Sequence, residues 1–141
     1  HAILYSAYET SGAVIPENIN VLILDNVGML SGLYHYATIC YVGCGFGDDG
    51  IHNILEAAVY GKPVVFGPVY DKYFEAGELL DCGGAFSIED ALELENILKE
   101  LLENKEKLSL ASEASERYVR TNAGAAQKIM RYIQENRPLI N

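Results

Sequence analysis

Residues 41–68 read YVGCGFGDDGIHNILEAAVYGKPVVFGP. An apolar run leads into a glycine-rich turn, then a helical pattern, then a second apolar run. Strand, turn, helix and strand in that order form the repeating unit of a parallel α/β sheet. Gly43, Gly45, Gly47 and Gly50 fall within eight residues. Glycine at such a place permits positive φ and lets another molecule approach the backbone. The spacing predicts a helix over 51–60, starting near Gly50 and capped by Asp48 or Asp49. Ile51, Ile54, Leu55, Ala58 and Val59 would face inward, and Gly61 would end the helix. His52, Asn53 and Glu56 would then share one face near its start, because separations of three and four are neighbours on a helix. In an open α/β sheet, ligands bind outside the carboxyl ends of the strands, where this turn belongs.

Working outward, strands are expected at 2–7, 21–24, 38–42, 63–66 and 85–87. A loop is expected over 9–20, a turn over 25–28 and a short helix over 29–36. A helix over 71–81 precedes the last strand. From residue 89 the pattern is helical, with segments over 91–102, 108–119 and 123–134, interrupted at Asn104 and again at 121–124. The run 21–24 does not alternate, which predicts a strand covered on both faces. The fold class is α/β: a Rossmann-like open parallel sheet flanked by helices, with a helical C-terminus. At 141 residues, the chain reads as a single domain over 1–141.

Composition narrows the function. The formal net charge of −10 argues against nucleic acid, which needs clustered Lys and Arg. The Glu-rich run after Ser87 reads as a solvated helical face. There is no apolar run long enough to span a membrane and no secretory signal pattern. The missing initial methionine reads as a piece of a longer chain. The three cysteines, Cys40, Cys44 and Cys82, are odd in number and make no disulfide framework. Cys40 and Cys44 have only His52 nearby as a further ligand, so no metal is expected. No Walker lysine motif or Ser-His-Asp order is present, and no cofactor is indicated.

Two strand-to-helix turns, 25–29 and 43–53, are placed to hold an anion on helix N-termini. An ionised Glu56 can accept from two ribose hydroxyls, and Asn53 offers both a donor and an acceptor. Plainer roles account for the same residues: Gly28 can simply end a strand, Asn53 and Glu56 can face solvent, and His52 can pack or cap. Composition and spacing stop at an α/β domain with an anion or nucleotide site.

Four segments go further together: Asp25-Asn26-Val27-Gly28-Met29-Leu30, Tyr41-Val42-Gly43-Cys44-Gly45, Gly50-Ile51-His52-Asn53-Ile54-Leu55-Glu56 and Gly61-Lys62-Pro63-Val64-Val65-Phe66-Gly67-Pro68. They resemble the nucleotide-sugar half of GT-B glycosyltransferases. More narrowly, they resemble the C-terminal domain of the 3-deoxy-D-manno-octulosonic acid (Kdo) transferases. That family carries Asp-x-x-Gly-Glu-Leu, Phe-Val-Gly-Gly, Gly-His-Asn-x-x-Glu and Gly-Lys-Pro-Val…Gly-Pro. The resemblance spans about 21–88. It departs at Met29, where the family has Glu, at Cys44, which replaces a glycine, and at Ile51.

The resemblance implies a CMP-Kdo donor and a lipid A precursor as acceptor. It implies a place at the cytoplasmic face of the bacterial inner membrane, the membrane surface being met by the parent chain and the fragment itself being soluble. Gly28 and Met29 would approach the phosphate or cytidine by their backbone. Gly50 opens the turn, Asn53 would touch nucleotide or phosphate, Glu56 would bind ribose, and His52 would orient the turn or meet the sugar. The general base would lie in the N-terminal domain of the parent, leaving no catalytic residue in this chain and no transfer by it alone. Two alternatives remain: the donor domain of another GT-B transferase or UDP-sugar epimerase, and a non-catalytic α/β nucleotide-binding or interaction domain.

Overall fold

The computed structural model describes residues 1–10 and 17–136. Half of the expected 9–20 loop, residues 11–16, lies outside the described residues. The chain forms two compact units, His1–Leu33 and Tyr34–Asn141.

In the first unit, β1 (Ala2–Leu4) pairs in parallel with β2 (Val21–Ile23), Ala2 opposite Val21 and Leu4 opposite Ile23. The expected 2–7 strand stops at Leu4, and α1 (Tyr5–Thr10) begins at once. The cause is tertiary. Asp25, just past β2, accepts from the Ser6 backbone N–H at 3.0 Å and from Ser6 Oγ at 2.5 Å. This carboxylate satisfies an N–H that a helix start otherwise leaves unpaired. The Ser6 hydroxyl, with the Ser6 N–H, holds the Asp25 carboxyl below its ordinary range. Within α1, Tyr5 donates to Glu9 and Thr10 Oγ1 donates to the Ser6 carbonyl. Val21, Leu22 and Ile23 are about half exposed, at 49%, 48% and 47%, against the expectation of cover on both faces. The expected 29–36 helix is one turn of α2 (Leu30–Leu33) followed by a 3₁₀ turn (Tyr34–Tyr36) that opens the second unit.

The second unit carries a three-stranded parallel sheet in the order β3 (Cys40–Val42), β4 (Val64–Phe66), β5 (Ala85–Ser87). Register places Cys40 opposite Val64 and Val64 opposite Ala85. The central strand is the most apolar, and all three of its residues are fully buried, as expected of a strand covered on both faces. Among the described residues five strands therefore form, all paired in parallel, but in ladders of two and three. The core joins Val42, Ile51, Ile54, Ala57, Ala58 and Phe66 with Ala76 and Leu79 of α4 (Phe74–Asp81). Val59 is not inward, being 52% exposed.

Two close approaches fix the strand exits. A Cβ on Gly45 would lie 2.7 Å from the Gly67 nitrogen, and one on Gly67 would lie 2.6 Å from the Gly45 carbonyl carbon. Only glycine lets the two backbones meet at that distance. The Val69 N–H then donates to the Gly45 carbonyl at 2.9 Å, locking one turn onto the other.

The remaining helices are α5 (Ala91–Glu103), α6 (Lys105–Asn122) and α7 (Ala125–Asn136). Asp90 caps α5 by accepting from the Leu92 and Glu93 N–H groups, while Glu93 reaches back to the Glu89 N–H, a reciprocal capping box. Asn104 ends α5 and caps α6 through the Lys107 N–H. Helix α6 is pinned by buried Ser115, whose Oγ donates to the Lys62 carbonyl at 3.0 Å. It is also held by Tyr118, which donates to Glu78 Oε2 of α4 at 2.6 Å. No described residue of α7 is buried. Among the described residues, no helix is long and apolar enough to cross a membrane.

Candidate functional site

The turn leaving β3 and the turn leaving β4 enclose a cavity of about 460 Å³ at the carboxyl ends of the two strands. Cys44, Asp49, Gly50, His52, Asn53 and Tyr73 are among its lining residues. Three of the residues singled out from sequence, Gly50, His52 and Asn53, thus meet in one place. Glu56 is tied to them: Asn53 Nδ2 donates to Glu56 Oε1 at 3.1 Å.

The local structure differs from the expected helix. Only Leu55–Ala58 is helical, forming the single turn α3. The cap is Asn53, not Asp48 or Asp49: its Oδ1 accepts from the Leu55 N–H at 3.1 Å. Residues 51–53 run irregularly because their bonds go elsewhere. The His52 N–H donates to the Gly43 carbonyl at 3.3 Å, and the side chains of Ile51 and Ile54 are buried in the core. The helices after both glycine-bearing turns, α2 and α3, are single turns. The helix dipole at both turns is therefore small, since a dipole needs aligned peptides to accumulate.

Gly50 is buried with φ +80, and a Cβ there would sit 2.8 Å from Cε2 of Tyr73. The turn is held from the other side by two side chains that sequence reasoning passed over. Tyr73 donates its hydroxyl to the Asp49 carbonyl at 3.2 Å, and Lys72 Nζ donates to the Asp48 carbonyl at 3.0 Å. The Gly67-Pro68 break after β4 was the available signal, since it marks a second strand exit at the same edge. Cys44 adds the remaining feature: its Sγ lies 2.8 Å from His52 Nε2. Among the described residues, no group of three His, Cys, Asp or Glu side chains is placed to hold a metal.

Gly28 and Met29 belong to the other unit. Gly28 takes φ +101, so the turn requires glycine there whatever else it does. Met29 is half-buried, and its sulfur accepts from Asn26 Nδ2 at 3.0 Å.

Chemically, the cavity presents an imidazole beside a thiol and a glycine-rich turn, and Asn53 on its wall holds the Glu56 carboxylate by a hydrogen bond. A carboxylate whose position is fixed by a neighbouring amide can accept paired hydroxyls with little ordering cost.

No protein-family model matches the chain. The 3-deoxy-D-manno-octulosonic acid transferase of Aquifex aeolicus is 35% identical over 98 residues, covering 69% of this chain and 28% of that protein. The enzyme of the same name from Rickettsia typhi is 32% identical over 125 residues, covering 86% of this chain and 26% of that protein. The chain thus spans little more than a quarter of the length of these curated relatives. A crystal structure of the C-terminal CMP-Kdo binding domain of WaaA from Acinetobacter baumannii shares its fold, with a TM-score of 0.72 at 24% identity over 84% of this chain and 60% of that one. With the parallel α/β architecture and the run of matched sequence, the chain belongs to the 3-deoxy-D-manno-octulosonic acid transferase family.

Proposed function

We propose that residues 1–141 form the donor-nucleotide domain of a glycosyltransferase that moves Kdo from CMP-Kdo to a lipid A precursor. The observation that carries this reading is the Asn53–Glu56 pair at the edge of a cavity outside the carboxyl ends of β3 and β4. Family membership supports it, and so does the likeness in fold to a domain described as binding CMP-Kdo. In this proposal Glu56 accepts from the ribose hydroxyls and Asn53 orients it. Gly50 keeps the turn open, and His52 faces the sugar or its phosphate. Gly28 and Met29 offer backbone to the phosphate or cytidine.

The reaction joins an acceptor hydroxyl to the anomeric carbon as CMP leaves. The share of this domain is to bind and orient the donor and to steady the departing phosphate. The general base is assigned to an N-terminal domain of a longer, two-domain parent. That parent works at the cytoplasmic face of the inner membrane and meets the membrane surface there. The exposed α7 fits a helix that packs on that other domain.

The test is a titration of the chain with CMP and with UMP, followed by amide shifts. Shifts at Gly50, Asn53 and Glu56 with CMP preferred are expected. Preference for UMP would move the reading to UDP-sugar enzymes. Absence of shifts with either nucleotide, in both this chain and its full-length parent, would overturn it.

A further inference from the structure

Cys44 follows β3, is exposed, and takes φ +69. Among the described residues it is the one non-glycine in the left-handed region, a conformation that costs a side-chain-bearing residue energy and tends to persist at functional turns. Its Sγ meets His52 Nε2 at 2.8 Å, a contact set up by the His52 N–H bond to the Gly43 carbonyl. Both residues line the 460 Å³ cavity, with Asp49, Tyr73 and Glu75 as the other titratable groups on its wall. The remaining thiols differ. Cys40 is buried, and burial pushes its thiol up. Cys82 is half-buried and donates to the Leu79 carbonyl at 3.4 Å. Only Cys44 thus combines exposure, a cavity and an imidazole at hydrogen-bond distance, the arrangement of a nucleophile with its base.

We propose that Cys44 and His52 form a site of covalent modification by hydroperoxides, and that the modified sulfur obstructs the donor cavity. The second clause rests on the donor-binding reading above. In the step, His52 Nε2 takes the thiol proton and Sγ attacks the terminal oxygen of the hydroperoxide. The S–O bond forms as the O–O bond breaks. The leaving alkoxide, or hydroxide from hydrogen peroxide, takes the proton back from His52. Sulfur is oxidised by two electrons to a sulfenic acid, and the hydroperoxide is reduced to an alcohol or water. A thiol reverses this state through a disulfide.

The experiment treats the reduced chain with hydrogen peroxide, traps sulfenic acid with dimedone and quantifies each cysteine peptide by mass spectrometry. Cys44 is expected to label roughly a hundredfold faster than Cys82, the low end of general-base assistance. His52→Gln is expected to slow Cys44 by about a hundredfold and leave Cys82 unchanged. Equal labelling of Cys44 and Cys82 in the unsubstituted chain overturns the modification site, whatever the variant does. CMP titration of treated and untreated chain separates the two clauses. If CMP binds the untreated chain and Cys44 labels no faster than Cys82, the modification site fails and the donor reading stands. Fast labelling in a chain whose full-length parent binds no CMP sinks the donor reading and leaves the modification site. Fast labelling with undiminished CMP binding after treatment removes the obstruction clause.

Discussion

Asn53 and Glu56 are joined side chain to side chain at 3.1 Å, and the same Asn53 caps the helix turn that carries Glu56. One residue therefore sets both where the carboxylate stands and how it is turned. Glu56→Ala is expected to weaken CMP binding by about ten- to hundredfold, the loss of hydrogen bonds to a charged acceptor. Asn53→Ala should cost less, roughly three- to tenfold, because the carboxylate remains but loses its orientation. Calorimetric titration of the two variants checks this. Unchanged affinity in Glu56→Ala would remove the carboxylate from the nucleotide site.

The Gly45–Gly67 crossing is a matter of backbone contact. Gly45→Ala and Gly67→Ala each push a Cβ to under 3 Å from main-chain atoms that cannot easily move. Each is expected to lower unfolding stability by about 1–3 kcal/mol, as overpacking does. Gly47, in the same turn, has open space around its would-be Cβ. Gly47→Ala should stay within about 0.5 kcal/mol of the parent. Urea unfolding of the three variants compares them directly.

Tyr118 couples α6 to α4, and burial together with its bond to Glu78 raises its pKa above the ordinary 10.0. The neutral phenol is the form that the fold favours. Its stabilisation is therefore complete below pH 10 and is lost as pH rises toward the folded-state pKa. Tyr118→Phe should cost about 1–2 kcal/mol near pH 8. The gap between parent and variant should narrow steadily above pH 10. Thermal unfolding across pH 7–11 measures it, and a gap that widened with alkalinity would contradict the assignment.

Cys44 pays a backbone penalty that glycine would not. Cys44→Gly relieves a left-handed strain of about 1–2 kcal/mol but adds unfolded-state entropy of about 0.4–1 kcal/mol. The expected net is a gain of up to about 1.6 kcal/mol, read from the denaturant midpoint. A clear loss of stability would mean that the sulfur contact with His52 outweighs the strain.

Local pattern alone carried the parallel α/β class, the five described strands and the succession of helices from α2 onward. Such features follow from short-range apolar runs and turn residues, which leave their mark wherever they occur. Asn104 as the break between α5 and α6, and Gly61 as the stop after α3, were legible for the same reason. So was the family, through the Gly50-Ile51-His52-Asn53 and Gly61-Lys62-Pro63 segments, because the residues of each lie close together in sequence.

Tertiary structure decided what depends on residues meeting across the chain. Asp25 reaches back nineteen residues to Ser6, and that bond helps to start a helix where a strand was expected. Core burial of Ile51 and Ile54 pulls residues 51–53 off the helical path, which shortens α3 to one turn and hands the cap to Asn53. Tyr73 and Lys72 join the site because β4 lies beside β3 and its exit turn is pressed against the first. The Cys44–His52 contact depends on a left-handed residue and a backbone bond across the turn. None of these pairings has a period or a composition, so no window along the sequence could register it. Each is fixed only when the core closes and long-range hydrogen bonds choose among local conformations of nearly equal energy.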